Sequence, residues 1–486
     1  MMRLLFILVL ASLPVWAEGG PSPPGSLEER LAAAYEALEA GNYPEAISLF
    51  EDVAALDWRN FRAHFGLGLA YFRSGALKEA LFEFRQLAKL YPERYEGWYN
   101  LGVTQARLKD WKGAVASLSR ALEVGKRAGL PPATLRPAYL ALAEAHRKLG
   151  DPLSAAKVLG EAYKVLPGDR ELALLLADAL VAAGKGEDAL PYLYEVLAKE
   201  RGNVTASLLL ADVLVDQGLP ERAVRELDRS IAAARSDKDR ARLIYKKALI
   251  LAGEGGKRAE VEALLEEAIA LDPELWQAQY DVGRLKLALG DAEGALRAFM
   301  LAYRANPDDP RVLLGLAAAY DALGKAADAY RVAELAVKKA GAAERIEALF
   351  LLGKNAYRTG RYPEAVKALK QVVAERKSDA EAWLWLGLAL YAVKDYGQAV
   401  AALERAAELD GRVEVLEALG AAYLAARRFS DAERVYTEVV LKAPDRAEAW
   451  YHLGWALKAL GRDSEAKRAW KKALELGYKP AQGLVR

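Results

Sequence analysis

The chain has 486 residues, with 68 Lys and Arg against 67 Asp and Glu, 53% hydrophobic residues and no cysteine. Zero cysteine excludes disulfides, thiolate metal sites, cysteine nucleophiles and thiol redox motifs, and a formal charge of +1 lacks the basic excess expected of a nucleic-acid binder. The apolar content argues against a disordered chain, and the three histidines (His64, His146, His452) stand too far apart in sequence to suggest a metal or catalytic cluster.

Met1 to Ala17 reads MMRLLFILVLASLPVWA: one Arg, an apolar run from Leu4 to Val15, then small residues. That is the pattern of a secretory signal peptide cut after Ala17, and the run is shorter than the roughly 20 residues a membrane helix needs. A retained anchor is the competing reading. No other long apolar segment lacks charges, so no transmembrane segment is expected after cleavage. An exported chain is expected, periplasmic or in the cell envelope if the host is bacterial. Glu18 to Ser26 (EGGPSPPGS) has the Pro- and Gly-rich composition of a linker.

From Leu27 onward the chain repeats itself. Small residues recur at Ala34, Gly68, Gly102, Ala143, Ala177, Ala211, Ala248, Gly283, Ala317, Gly353, Gly387, Gly420 and Gly454, mostly 34 residues apart, and an alanine follows about 12 residues later in all but the seventh unit, where Val261 is the nearest equivalent. The spacing predicts thirteen units up to Pro480, each of two helices of about 13 residues split by a turn that often carries Gly. The run His64, Leu67, Gly68, Tyr71, Ala80, Phe84, Pro92 and the run Trp450, Leu453, Gly454, Ala466, Trp470 resemble the tetratricopeptide repeat. The resemblance implies an all-α solenoid, a right-handed superhelix of antiparallel helix pairs, in which each unit is stable only when stacked on its neighbours.

Three departures from the period divide the array. Gly125 to Leu135 adds seven residues, Arg235 to Arg242 adds three, and Ala252 to Glu260 lengthens one internal turn. Such insertions are expected to form loops, and they split the chain into residues 27–135, 136–237 and 238–480, with a tail of 481–486. In the last unit Lys467 takes a slot that holds Ile47, Leu81 or Val115 earlier. With Arg468, Lys471 and Lys472 it would give the array a polar end, or a basic surface for an acidic partner or membrane. Trp470 and Leu474 leave room for an apolar end and end-to-end association.

Motifs for catalysis are missing: there is no nucleophile elbow, phosphate loop, zinc-protease motif or dinucleotide fingerprint. The expectation is a non-enzymatic chain without cofactor or metal. In the resembled family the first helix of each pair lines a concave groove. That implies inward positions at Leu31, Phe65, Tyr99 and their equivalents, and again four residues later. Within those sets Glu144, Asp178 and Asp212, with Asp216 one turn on, form a ladder of carboxylates suited to Lys or Arg on an extended partner, or an ordinary charged groove neutralised by Arg147 and Lys148. Tyr280, Arg284, Phe350, Lys354, Tyr357, Tyr391, Tyr451 and Trp455 form a second set, aromatics among cations, as at interface hot spots. The family's terminal-carboxylate clamp needs an Asn pattern that this chain lacks. A protein or peptide in the groove is therefore expected, with an exopolysaccharide-export scaffold contacting glycan as the alternative.

Overall fold

The computed structural model describes residues 25–255 and 258–485. The expected signal peptide and all but the last two residues of the linker lie outside them. Among the described residues there are 26 α-helices, one short 3-10 segment (Lys479–Ala481) and no strand. Most helices have 13 or 14 residues, as the period predicts. The first two insertions, and the wider spacing before Gly353, are taken up in helix, whereas the third, Ala252 to Glu260, includes two residues outside the described ones. Trp111–Arg127, Pro132–Lys148, Asp237–Gly253 and Ala342–Arg358 each reach 17 residues. The expectation that the insertions would be loops is therefore corrected: only residues 128–131 and 234–236 stay outside helix in the first two.

Several helices begin where the sequence offers a side-chain acceptor. Asn60, Asp169, Asn203 and Asp379 each accept a hydrogen bond from the backbone N–H three residues on, meeting one of the donors a helix leaves unpaired at its start. Turns inside the units are closed by left-handed residues. Gly75, with φ of 89°, is typical, but the third, eleventh and twelfth units place Lys109, Lys394 and Arg427 there with φ of 64°, 66° and 57°.

Packing follows one rule. Where the small residue of the first helix is glycine, it faces the residue sixteen positions later on the second helix, as in Gly68 with Phe84, Gly102 with Leu118, Gly387 with Leu403, Gly420 with Tyr436 and Gly454 with Trp470. A methyl group on any of these glycines would come within 2.3–2.7 Å of its partner's side chain, so the helices approach as closely as they do only because the side chain is missing. In some units the large residue also reaches the next repeat another sixteen positions on. A Cβ on Gly66 would lie 2.2 Å from Phe50, and one on Gly315 would lie 2.4 Å from Phe299. The Tyr436 ring likewise stacks on His452 at 5.5 Å. These side chains join two helices of one unit to the first helix of the next.

A second rule ties the linkers. Residues in one slot of the first helix donate to the carbonyl six positions back: Trp98 to Pro92 at 2.9 Å, Gln279 to Pro273 at 2.6 Å, Trp383 to Lys377 at 3.0 Å and Trp450 to Pro444 at 2.9 Å. His64 has the same role, with Nε2 3.0 Å from the Trp58 carbonyl, while its Nδ1 meets Glu83 at 2.7 Å. Two histidines are thus explained by the repeat alone, His64 in the linker slot and His452 in the stack.

The chain forms two compact units that divide between Glu254 and Gly255. In each, successive first helices meet one another, whereas the close approaches between non-consecutive helices include no pair of second helices. The first helices therefore line the inner side of each stack. At the end of the second unit Trp470 is only 4% exposed, and Tyr478, Leu484 and Val485 of the tail pack against the last repeat. Trp470, expected to leave apolar end surface, is buried, and Leu474 is partly buried against the same core cluster.

Two measurements follow from these contacts. A left-handed residue with a side chain costs roughly 1–2 kcal/mol, part of which glycine loses again through unfolded-state entropy. Lys394→Gly should therefore stabilise the second unit by about 0.5–1 kcal/mol in denaturant unfolding. The histidines should respond to pH with opposite signs. The hydrogen bond that His64 donates to the Glu83 carboxylate raises the His64 pKa above its ordinary 6.5, so its contribution is complete below that value and is lost as pH rises through the raised one. Burial lowers the His452 pKa, so its contribution is complete above 6.5 and is lost as pH falls toward the lowered value. Lowering the pH from 7.5 to 5.5 should slow hydrogen exchange in the second repeat and speed it in the last, relative to intrinsic rates. Shifts of the same sign in both would contradict this assignment.

Candidate functional site

In the first unit the inner side opens into a groove of about 560 Å³ across three first helices, Pro132–Lys148, Arg170–Ala182 and Val204–Asp216. Leu140, Leu174 and Leu175 give it an apolar floor, and Glu144, Asp178 and Thr205 stand among the residues of its wall. Glu144 is 14% exposed and takes two hydrogen bonds from Arg147, at 2.6 and 2.7 Å, with the Lys148 ammonium 3.7 Å away. The same pair raises the Arg147 pKa, first through its hydrogen bond to Glu144. Asp178 is exposed and makes no ion pair among the described residues.

The carboxylate ladder of the sequence is thus divided. Glu144 and Asp178 share the groove. Asp212 and Asp216 do not line it: Asp212 pairs with Lys246 of the following first helix, and Asp216 lies exposed at its helix end. Arg147 and Lys148 neutralise the Glu144 end, as the sequence allowed, and Asp178, whose charge also acts on Arg147, stands exposed without a direct ion pair among the described residues.

In the second unit the aromatic set separates into packed and exposed members. Phe350 is 9% exposed and belongs to the core, as do Leu31, Phe65 and Tyr99 at the same slot in the first unit. That slot, taken as inward-facing, packs between helices and presents no groove surface at these positions. Tyr280 lies 5.7 Å from the Phe299 ring, and burial raises its pKa. Arg284 reaches over it at 5.8 Å and pairs with Asp281 at 3.5 Å. Tyr357 is half-buried between Tyr362 and Trp385. Tyr391 and Trp455 remain exposed, at 38% and 41%. Tyr451 touches Trp455 and is covered on another side by Tyr478 at 5.0 Å.

Around Lys354 the structure assembles a cluster that the sequence divided among different slots. Lys354 bridges Asp321 of one neighbouring first helix at 3.1 Å and Glu381 of the other at 3.4 Å. Arg358 also holds Asp321, at 2.6 Å, and both cations lie over the Trp385 ring, at 5.6 and 5.4 Å. Trp385 donates its Nε1–H to Glu381 at 3.1 Å. Trp385, Arg358, Asp321 and Glu381 were missed because only two slots per first helix were taken as inward. Trp385 stands two residues before Gly387, and that third slot was the signal available. The cluster joins three successive first helices, and its charges are internally matched.

A sequence profile described as Tetratricopeptide repeat matches residues 31–84, 83–131, 246–310 and 350–412. Two more of the same description match 180–248 with 423–483, and 136–179. The chain is similar to the crystal structure of the APC/C hetero-tetramer Cut9–Hcn1, with 15% identity over 94% of this chain and 95% of that one and a TM-score of 0.39. It is also similar to the crystal structure of MamA, with 27% identity over 34% of this chain and 97% of that one and a TM-score of 0.31. A tetratricopeptide repeat protein from Parabacteroides merdae covers 50% of this chain with 97% of its own, at 17% identity and a TM-score of 0.36. No curated protein matches.

Proposed function

We propose that this chain, which belongs to the tetratricopeptide repeat family, binds an extended segment of a protein partner along the inner side of its first unit. The coarser statement, a repeat scaffold for protein–protein interaction, follows from the family and its coverage of the chain. The observation that carries the finer reading is the groove over Leu140, Leu174 and Leu175, with an exposed, unpaired Asp178 at its wall. An apolar floor with one unmatched carboxylate suits a segment carrying aliphatic side chains and a Lys or Arg. The scaffold acts by holding its partner, without catalysis.

The leader-like sequence Met1–Ala17 supports export, and in a bacterial host assembly of a cell-envelope complex. Among the described residues no helix is long and apolar enough to cross a membrane. The second reading, a scaffold of exopolysaccharide export, has its own support in the exposed rings of Tyr391 and Trp455 in the second unit, which could stack on sugar rings.

Crosslinking distinguishes the two. A photo-reactive residue at position 205, in residues 18–486, would be activated in the chain's own cell-envelope fraction. A protein adduct is expected, weakened at least about tenfold by Asp178→Lys and reduced by raised salt. Adducts to glycan alone, or protein adducts indifferent to Asp178→Lys, would overturn the groove reading.

A further inference from the structure

The near-zero charge of the chain conceals an uneven distribution. Residues 27–60 hold eight carboxylates against two arginines, and residues 447–486 hold eight Lys and Arg against four carboxylates. Local pairs absorb part of this. Glu28 meets Arg62 at 2.7 Å, Lys458 meets Asp463 at 2.6 Å, Arg462 meets Glu465 at 2.6 Å, and Lys472 approaches Glu475 at 3.9 Å. Glu36, Glu39 and Asp52 at one end and Arg468 and Lys471 at the other are exposed and make no ion pair among the described residues.

A repeat stack needs a polar surface at each end, and either sign of charge would serve. Opposite signs on the first and last repeats are not required by solubility. They are what a stack needs to meet the end of another copy of itself. Trp470 offers no apolar contact there, because it is buried, and Tyr478, Leu484 and Val485 are partly buried against the core cluster that contains it.

We propose that the acidic first repeat of one copy docks on the basic last helix, Asp463–Glu475, of a second copy. The contact is heterologous, so each added copy leaves one end of each sign free. Charge rather than apolar area holds it, which makes it reversible and dependent on ionic strength. It is independent of the groove and leaves the groove free for a partner.

Sedimentation of residues 18–486, which hold every described helix, tests this. At low ionic strength the weight-average mass should rise with concentration. At about 1 M salt, where the screening length is roughly 3 Å, it should return to that of the monomer. Glu36→Lys with Glu39→Lys should abolish the rise, as should Arg468→Glu with Lys471→Glu. Combining all four reverses both ends and should restore it, a result that a folding defect would not produce. A wild-type chain that stays monomeric at low salt would overturn the proposal. So would an association that survives either charge reversal, or one that the four-fold variant fails to recover.

Discussion

The structure depends on a large side chain placed sixteen residues after a small one. Phe299 lies against Gly283 in its own repeat, and a Cβ on Gly315 of the next would lie 2.4 Å from its ring. Three helices are held by one ring, and no helix pair in this arrangement can bury its apolar face alone. Removing such a buried ring costs about 3–5 kcal/mol in well-packed sites. The same contact fixes how closely the first helices of neighbouring repeats can come. That close approach puts them on the inner side of each stack and creates the surface where a partner can lie.

On that inner side the chain mostly satisfies its own charges. Glu144 is held by Arg147, Asp212 by Lys246, and Asp321 by Lys354 and Arg358. These pairs link or brace successive first helices. Their consequence is selective: with most charges matched, the unmatched ones define what the surface can recognise. Asp178 stands in the groove without a direct ion pair, while Glu36 and Glu39 in the first repeat and Arg468 and Lys471 in the last are exposed and make none among the described residues.

Much of the fold was legible because the repeat writes its packing into the sequence at fixed intervals. The small residues, the alanines that follow them and most of the turn glycines appear where the period puts them. What the period did not reveal was lengthening within helices: an insertion such as Gly125–Leu135 adds residues without saying whether they extend a helix or a loop. The left-handed Lys109, Lys394 and Arg427 were also hidden, since lysine and arginine carry no turn signal. The candidate site was harder to read. Spacing tells which residues share a helix face but not which neighbours cover that face. Phe350 was therefore expected at the surface and packs in the core, whereas Trp385, in an adjacent slot, meets two cations.

The central claim is that a large side chain placed sixteen residues after a small one, where it also reaches the next repeat, carries coupling between repeats. A double-mutant cycle between Phe299 and Gly315 measures this directly. Gly315→Ala alone should destabilise the second unit by about 1–3 kcal/mol through overpacking. In a Phe299→Leu background the same change should cost markedly less, with a coupling of at least about 1 kcal/mol. Additive effects of the two substitutions would contradict the account, because the ring would then not be what the missing side chain at Gly315 accommodates.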